Sequence, residues 1–364
     1  MCGITGFLAP PAPGAEARVT KMMRAIAHRG PDSQGHWCDD EAGIALGHLR
    51  LAIVDLTPAG HQPMASPSGR YMLSFNGEIY NHRQLRAELD EQGHAAAWRG
   101  TSDTETLLAG IDAWGLEATL QRAIGMFAIG LWDRKTRELT LVRDRLGEKP
   151  LYYGWQGVGE SRAFLFGSEL KALREHPAFT GEIARSSLTE VLRHGNVGED
   201  RSIYTGIAKV RAGEIVTVSM EQPEPRRRLY WDGAAIAAAQ KPPRMSDTET
   251  VDALESLLMD AVGQQMMSDV PLGAFLSGGI DSSTVVALMQ HQSDTPVHTF
   301  SIGFNEARYN EAEFARAVAA HLGTHHTDLY VSDQELRDVI PRLPQIYDEP
   351  FADSSQIPTY LVSE

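Results

Sequence analysis

Two domains of different class are predicted: an α+β domain of stacked antiparallel sheets covered by helices, then an α/β domain on an open parallel sheet. Three observations carry this reading. The first half strings together many short apolar runs with turn signals and few helical patches. Between about residues 221 and 248 that pattern gives way to proline, arginine and alanine. From Thr248 onward helix and strand patterns alternate, the signature of a parallel sheet. At 364 residues the chain also exceeds one ordinary core.

The elements follow in order. Residues 3–9 alternate as a strand and stop at Pro10-Pro11, and residues 19–27 form a helical patch. Apolar runs at 43–55 and 71–75 read as strands. Helices are expected at 82–92, where Leu85 and Leu89 share a face, and at 104–114. Residues 126–132 and 139–143 form a hairpin across the polar stretch 133–138. Residues 221–228 and 241–244 read as linker, with Arg226, Arg227 and Arg228 a solvated link or an inter-domain contact. Beyond it come a helix at 251–267, a buried strand at 273–276, a helix at 282–290 and a strand at 297–302. A helix from about 311 to 322 ends at Gly323, with Phe314, Val318 and Leu322 at helical spacing. The expected domains are 2–215, a linker at 216–248, and 249–364.

Composition narrows the function classes. Hydrophobic residues make up 42% and charged residues 22%, as in soluble globular proteins. The net charge of −15, with no long basic run, argues against nucleic acid or an anionic membrane as partner. Cys2 and Cys38 are too few for a disulfide framework or a cysteine zinc site. No apolar run approaches the ~18 residues of a membrane span, so a cytoplasmic location is expected.

Cys2 stands in Met1-Cys2-Gly3-Ile4-Thr5-Gly6-Phe7. Methionine before a small side chain is normally trimmed, which would give one residue both a thiol and a free α-amine. That amine titrates near pH 7.7–8 and can shuttle a proton for the thiol. A second chemistry lies in Ser277-Gly278-Gly279-Ile280-Asp281-Ser282-Ser283, between a predicted strand and a helix. Two glycines let backbone N–H groups turn toward an anion, and the helix N-terminus adds partial positive charge. Asp281 can hold Mg²⁺ and the serine hydroxyls can donate to phosphate. A Walker loop would need a lysine after the glycines, and none is present. Asp281 as an ordinary helix cap is the bland alternative.

The strand, Ser-Gly-Gly-x-Asp-Ser loop and helix resemble the pyrophosphate loop of ATP pyrophosphatases, which cleave ATP between its α and β phosphates. The first half resembles a glutamine amidotransferase of the N-terminal-nucleophile class, a four-layer αββα fold. That likeness rests on Cys2-Gly3-Ile4, His28-Arg29-Gly30-Pro31-Asp32, Arg50-Leu51-Ala52-Ile53-Val54-Asp55, Phe75-Asn76-Gly77-Glu78-Ile79-Tyr80-Asn81 and Ser102-Asp103-Thr104-Glu105. Together the two halves resemble glutamine-hydrolysing asparagine synthetases, as do the stretch 143–153 and Tyr230-Trp231. The resemblance implies an adenine-nucleotide-hydrolase-like second domain, with ATP and Mg²⁺ as cofactors. Glutamine, ATP and aspartate or another carboxylate acceptor are the implied substrates, and a homodimer is left open. It also implies a synthetase domain continuing past Glu364, with a second acidic loop. Two other readings stay open: a glutaminase half serving a separate chain, and an acceptor other than aspartate. A regulatory or nucleotide-sensing module fits the nucleophile less well.

Each matched residue has a physical part to fill. Thiolate attack on an amide builds an oxyanion, for which Asn76 offers its side-chain amide and Gly77 its backbone N–H. Asn76-Gly77 is equally a hairpin-turn signal, and a turn can present such a hole. Arg50 would clamp the substrate α-carboxylate through its planar fork. Asp103, with Glu78, would answer the α-ammonium. Alone, Arg50 or Asp103 reads as a member of a surface ion pair. By resemblance, backbone around Ile53 completes the glutamine pocket, and backbone at Leu276 and Ile302 rests near adenine. His325-His326 is read as structural, because neighbours on a strand face opposite ways and no carboxylate partner is evident. Cys38 is read as a buried thiol, and Tyr152-Tyr153 as core.

Overall fold

A computed structural model describes residues 2–94, 97–240, 245–304, 306 and 310–363. The chain divides into two compact units, residues 1–240 with 348–351, and residues 241–347 with 352–364.

In the first unit the elements run β1 (Gly3–Leu8), α1 (Ala15–Ala25), β2 (Ser33–Asp39), β3 (Ile44–Arg50), β4 (Met64–Ala65) and β5 (Tyr71–Ile79). Next come α2 (His82–Glu91), α3 (Asp103–Trp114), α4 (Leu116–Arg122), β6 (Gly125–Asp133), β7 (Glu138–Arg143), β8 (Tyr152–Gln156) and β9 (Ala163–Gly167). The unit closes with α5 (Leu170–Arg174), α6 (Arg185–His194), β10 (Ala208–Lys209), β11 (Glu214–Val218), β12 (Arg226–Leu229) and α7 (Gly233–Ala239). Two antiparallel sheets result, one ordered β10-β8-β9-β1-β3-β2 and the other β12-β11-β7-β6-β5-β4.

Strand alternation builds four layers. On β1, Ile4 and Leu8 join Phe164 and Phe166 in a core shared with Ala128, Trp132, Leu141 and Val216 of the other sheet. Phe7 points the opposite way, into a cluster with Val19 and Met22 of α1 and Leu173 of α5. On β6, Phe127, Ile129 and Leu131 face Leu85, Leu107 and Leu120 of the three helices α2–α4. Helix, sheet, sheet, helix is therefore the order, and the predicted αββα class stands.

The linker reading of residues 216–248 needs correcting. The end of β11 and all of β12 lie inside it, and the two strands pair in register, Glu214 opposite Leu229 through Thr217 opposite Arg226. The arginine run is an edge strand of the first unit because acids on neighbouring elements meet it. Arg226 pairs with Glu138, Arg227 with Glu214 at 2.8 Å, and Arg228 with Glu117. Lys241, Pro242, Pro243 and Arg244 lie outside the described residues.

The second unit contains α8 (Asp247–Gln265), β13 (Gly273–Phe275), α9 (Ile280–His291), β14 (His298–Phe304), α10 (Ala312–Leu322), β15 (His325–Val331) and α11 (Asp333–Val339). Its three strands are parallel in the order β13-β14-β15, as predicted from the alternation. Ser246 caps α8 in a reciprocal box with Glu249. Gly323, in the left-handed region at φ 75°, ends α10 where the sequence places the stop. The unit's buried cluster is small: Leu276, Val286, Ala315 and Ala319. Among the described residues, no helix is long and apolar enough to cross a membrane.

Candidate active site

Cys2 enters the first sheet at the start of β1, where Gly3 lies opposite Leu49, so β3 delivers Arg50 and Leu51 beside it. The Sγ atom accepts from the Leu51 amide at 3.4 Å and stands 3.5 Å from its carbonyl. The Cys2 carbonyl accepts from Arg29 Nε at 2.9 Å. Arg29 in turn donates to Glu169 at 2.6 Å, and Glu169 also meets His28 at 3.0 Å and Lys171 at 2.5 Å. Burial pushes the Glu169 carboxyl up, but these three donors outweigh it and hold the pKa at about 2. The backbone of the candidate nucleophile is thus pinned by a half-buried ion-pair network.

Burial raises the Cys2 thiol above its ordinary value; the Leu51 amide lowers it, the charge of Asp103 raises it and that of Arg50 lowers it. A thiol so placed needs a base.

Arg50 is buried at the end of β3 and carries an uncompensated charge. Its Nη1 donates to the Thr57 carbonyl at 2.9 Å and its Nη2 to that of Asp55, both neutral acceptors. No carboxylate of the described residues lies within ion-pair distance of it. Asp103 is the complementary case. Placed first in α3 behind the Ser102 cap, it is buried and accepts from the amides of Ile79 at 2.9 Å and Thr104 at 2.7 Å. Burial raises its pKa against those donors and the nearby His82. Glu78, half-buried on β5, is raised by burial and then by the charge of Asp103.

Asn76 completes the set. It sits on β5, 1% exposed, with its Nδ2 lacking any partner among the described residues. Beside it, a Cβ on Gly77 would lie 2.1 Å from the Met126 carbonyl, so only glycine fits that strand pairing. Ile53 is half-buried in the irregular stretch that follows β3.

Among the described residues, Arg50 and Asp103 thus make hydrogen bonds to neutral groups but no ion pair, and Nδ2 of Asn76 makes no hydrogen bond, so a counter-charge for each of the first two and an acceptor for the third remain unanswered. Such groups are costly unless a ligand answers them. The family resemblance singles out these side chains but not Leu51, Glu169 or Lys171. Leu51 acts through its backbone, and the acid and lysine belong to a separate stretch of chain. Arg29 is present in the His28-Arg29-Gly30-Pro31-Asp32 string, without a part derivable from spacing.

The phosphate loop joins β13 to α9. Leu276, buried at its start, donates its amide to the Phe300 carbonyl at 2.8 Å. Gly278 has φ 80°, and a Cβ there would lie 2.8 Å from the Ala315 amide nitrogen. Ser277 and Ser282 bond each other through their hydroxyls at 3.0 Å, closing the loop. Asp281 is exposed in the first turn of α9, while Ser283 Oγ is buried without a partner among the described residues. Ile302 lies half-buried on β14. No group of three or more metal-ligating side chains occurs among the described residues. One carboxylate beside an anion cradle still suits Mg²⁺, which is usually held by one or two carboxylates plus substrate phosphates.

His326 differs from expectation, since Asp328 meets its Nε2 at 2.8 Å. Two residues apart on β15, they share a face. Cys38 is half-exposed rather than buried, Tyr153 is core, and Tyr152 is half-buried with its hydroxyl donating to Glu349 at 3.2 Å.

The geometry of the first unit defines a candidate amidotransferase site around the Cys2 thiol, and the second a candidate nucleotide loop. Residues 1–231 match the glutamine amidotransferase domain family, and residues 253–364 the asparagine synthase family. A relative in Methanocaldococcus jannaschii, provisionally named asparagine synthetase [glutamine-hydrolyzing] 2, is 35% identical over 100% of this chain and 71% of its own length. Asparagine synthetase [glutamine-hydrolyzing] 3 of Bacillus subtilis is 34% identical over 96% of this chain and 57% of its own. A solved glutamine phosphoribosylpyrophosphate amidotransferase from B. subtilis aligns with TM-score 0.48 at 14% identity, over 92% of this chain and 91% of that one. The chain belongs to the family of glutamine-hydrolysing asparagine synthetases. It spans little more than half the length of the bacterial relatives it matches.

Proposed function

We propose that this chain releases ammonia from glutamine at Cys2 and belongs to an enzyme that uses it to amidate an adenylated aspartate. The observation that carries the first half is the set of unanswered groups around the thiol. A free glutamine offers an α-carboxylate to Arg50, an α-ammonium to Asp103 and Glu78, and a side-chain amide to Cys2. The terminal α-amine takes the thiol proton, and the thiolate attacks the amide carbon. Asn76 Nδ2 and the Gly77 amide hold the oxyanion, ammonia leaves, and water hydrolyses the thioester to glutamate. Backbone near Ile53 completes the pocket.

In the second half, the 277–283 loop holds the ATP phosphates, with adenine near the backbone of Leu276 and Ile302. Asp281 would hold Mg²⁺, which when bound neutralises charge on the phosphate oxygens. The aspartate side-chain carboxylate attacks the α-phosphorus and pyrophosphate leaves. Ammonia then displaces AMP, giving asparagine.

Two measurements test this. Intact mass should show Met1 removed and Cys2 unblocked, and Cys2→Ala should abolish ammonia release from glutamine while leaving the melting temperature in place. Undiminished release would remove Cys2 as nucleophile. Exchange of pyrophosphate into ATP tests the acceptor. Exchange driven by another carboxylic acid and not by aspartate would replace the acceptor and leave the glutaminase half standing.

A further inference from the structure

The first unit holds a cavity whose lining includes none of the groups placed around Cys2. β6 pairs Ala128 with Asn76 and, four residues on, Trp132 with Met72. At about 3.3 Å per residue this puts Trp132 roughly 13 Å along the strand from the oxyanion position. There a cavity of ≈ 400 Å³ opens, lined by Trp132, Asp39, Arg70, Arg134, Lys135 and Arg137 among others.

Two independent features of this cavity point the same way. Trp132 is 1% exposed, and its indole Nε1 has no hydrogen-bond partner among the described residues. Indole nitrogen donates only, so what it lacks is an acceptor. A buried donor left in that state is unfavourable until one arrives.

The rim supplies charge of matching sign. Arg134, Lys135 and Arg137 lie exposed on the connection between β6 and β7. None forms an ion pair among the described residues, and Arg134 Nη1 donates to the neutral Gly69 carbonyl at 3.1 Å. Arg70 is already held by Asp133 at 2.6 Å. Asp39, the carboxylate of the lining, has its Oδ1 engaged by the Ala42 amide at 3.1 Å. Three unpaired cations around one cavity run against a chain whose net charge is −15.

We propose that this cavity binds a small multivalent oxyanion, such as a phosphate, pyrophosphate or di- or tricarboxylate, with one oxygen accepting from Trp132 and the others facing the hairpin cations. Nothing in the reaction at Cys2 uses these groups, so the proposal stands or falls separately from that reading.

The test is calorimetric titration with pyrophosphate and, separately, with citrate at fixed ionic strength, because exposed charges are screened within about a Debye length. For at least one probe, one site per chain is expected at this cavity, separate from any pyrophosphate taken by the 277–283 loop. The double variant Lys135→Gln/Arg137→Gln, altered only at exposed positions, should bind about tenfold more weakly, or worse. The same titration followed by ¹H–¹⁵N spectra should move one indole signal among six tryptophans. Binding of pyrophosphate alone assigns phosphates, and of citrate alone carboxylates. Absence of saturable binding by either probe overturns the proposal. So does affinity unchanged in the double variant, or saturation that leaves every indole signal in place.

Discussion

The glutamine site and the phosphate loop solve opposite problems. Around Cys2, recognition is built from buried side chains: Asn76 is 1% exposed, Asp103 6% and Arg50 8%. Their positions are fixed by amides and carbonyls of β5, α3 and the turn after β3, with core clusters on both faces of each sheet. At the loop, Ser277, Gly279 and Asp281 are exposed and the cluster behind them is small. On the proposed reading, the first site would store the cost of burying charge until substrate arrives, and the second would offer backbone N–H groups and let the ligand supply the charge. A small reader of amino acids needs the former. A polyanion that brings its own electrostatics needs only the latter.

The sharpest way to break this contrast is Gly278→Val. A β-branched side chain at φ 80° is strained, and its Cβ would lie 2.8 Å from the Ala315 nitrogen. ATP binding, followed by calorimetry, should be lost while ammonia release from glutamine stays within about twofold. Loss of both would mean that the two units do not tolerate damage independently.

Asn76→Ala acts on the other side. Removing an oxyanion donor should lower kcat for glutamine hydrolysis by about 10²–10³, or roughly 2.7–4 kcal/mol. Because Nδ2 has no partner to lose among the described residues, stability should hardly fall. A large drop in melting temperature with modest loss of kcat would make Asn76 a structural residue.

Arg50→Ala should do less to chemistry and more to affinity. A clamp on the α-carboxylate acts in ground and transition states alike, so KM should rise about tenfold or more with a smaller change in kcat. The side chain also ties down the Asp55 and Thr57 carbonyls, so some stability goes with it. Arg50→Lys keeps charge without the fork and should recover only part of the KM effect. Normal KM with reduced kcat would move Arg50 to the reacting centre.

How legible each region was follows from the same contrast. The candidate phosphate loop is continuous in sequence, so Ser277 to Ser283 announced its turn, with Gly278 at φ 80°, and suggested the chemistry proposed for it. The glutamine site is assembled from separate stretches, and only family likeness joined Cys2, Arg50, Asn76 and Asp103 before the sheets did. Strands of the hairpin at 126–143 were readable from alternation. The edge strand Arg226–Leu229 was not, because three arginines read as solvent-exposed until Glu138, Glu214 and Glu117 arrive from distant positions. Asp328 was likewise missed as the partner of His326, although two-residue spacing on a strand puts both on one face.

The smallest effect expected is a pH slope that belongs to the buried site alone. His48, on β3 behind Arg50, is fully buried and its Nε2 lies 2.9 Å from the Phe75 carbonyl, next to Asn76. A carbonyl only accepts, so Nε2 carries the proton of a neutral ring. Burial lowers its pKa from 6.5 to about 3, against a raising contribution from that hydrogen bond. The unfolded chain therefore binds one more proton than the folded one between these values. Stability contributed by neutral His48 is complete above pH 6.5 and is lost as pH falls toward 3, at about 1.4 kcal/mol per pH unit within that window. Urea unfolding of the native chain and of His48→Gln at pH 6, 5 and 4 isolates the contribution, since glutamine keeps a donor without the titration. The variant's stability should fall less steeply by about that amount per unit. Parallel slopes would show that His48 takes its proton in the folded chain without cost, and that the strand behind Arg50 is less dry than its burial implies.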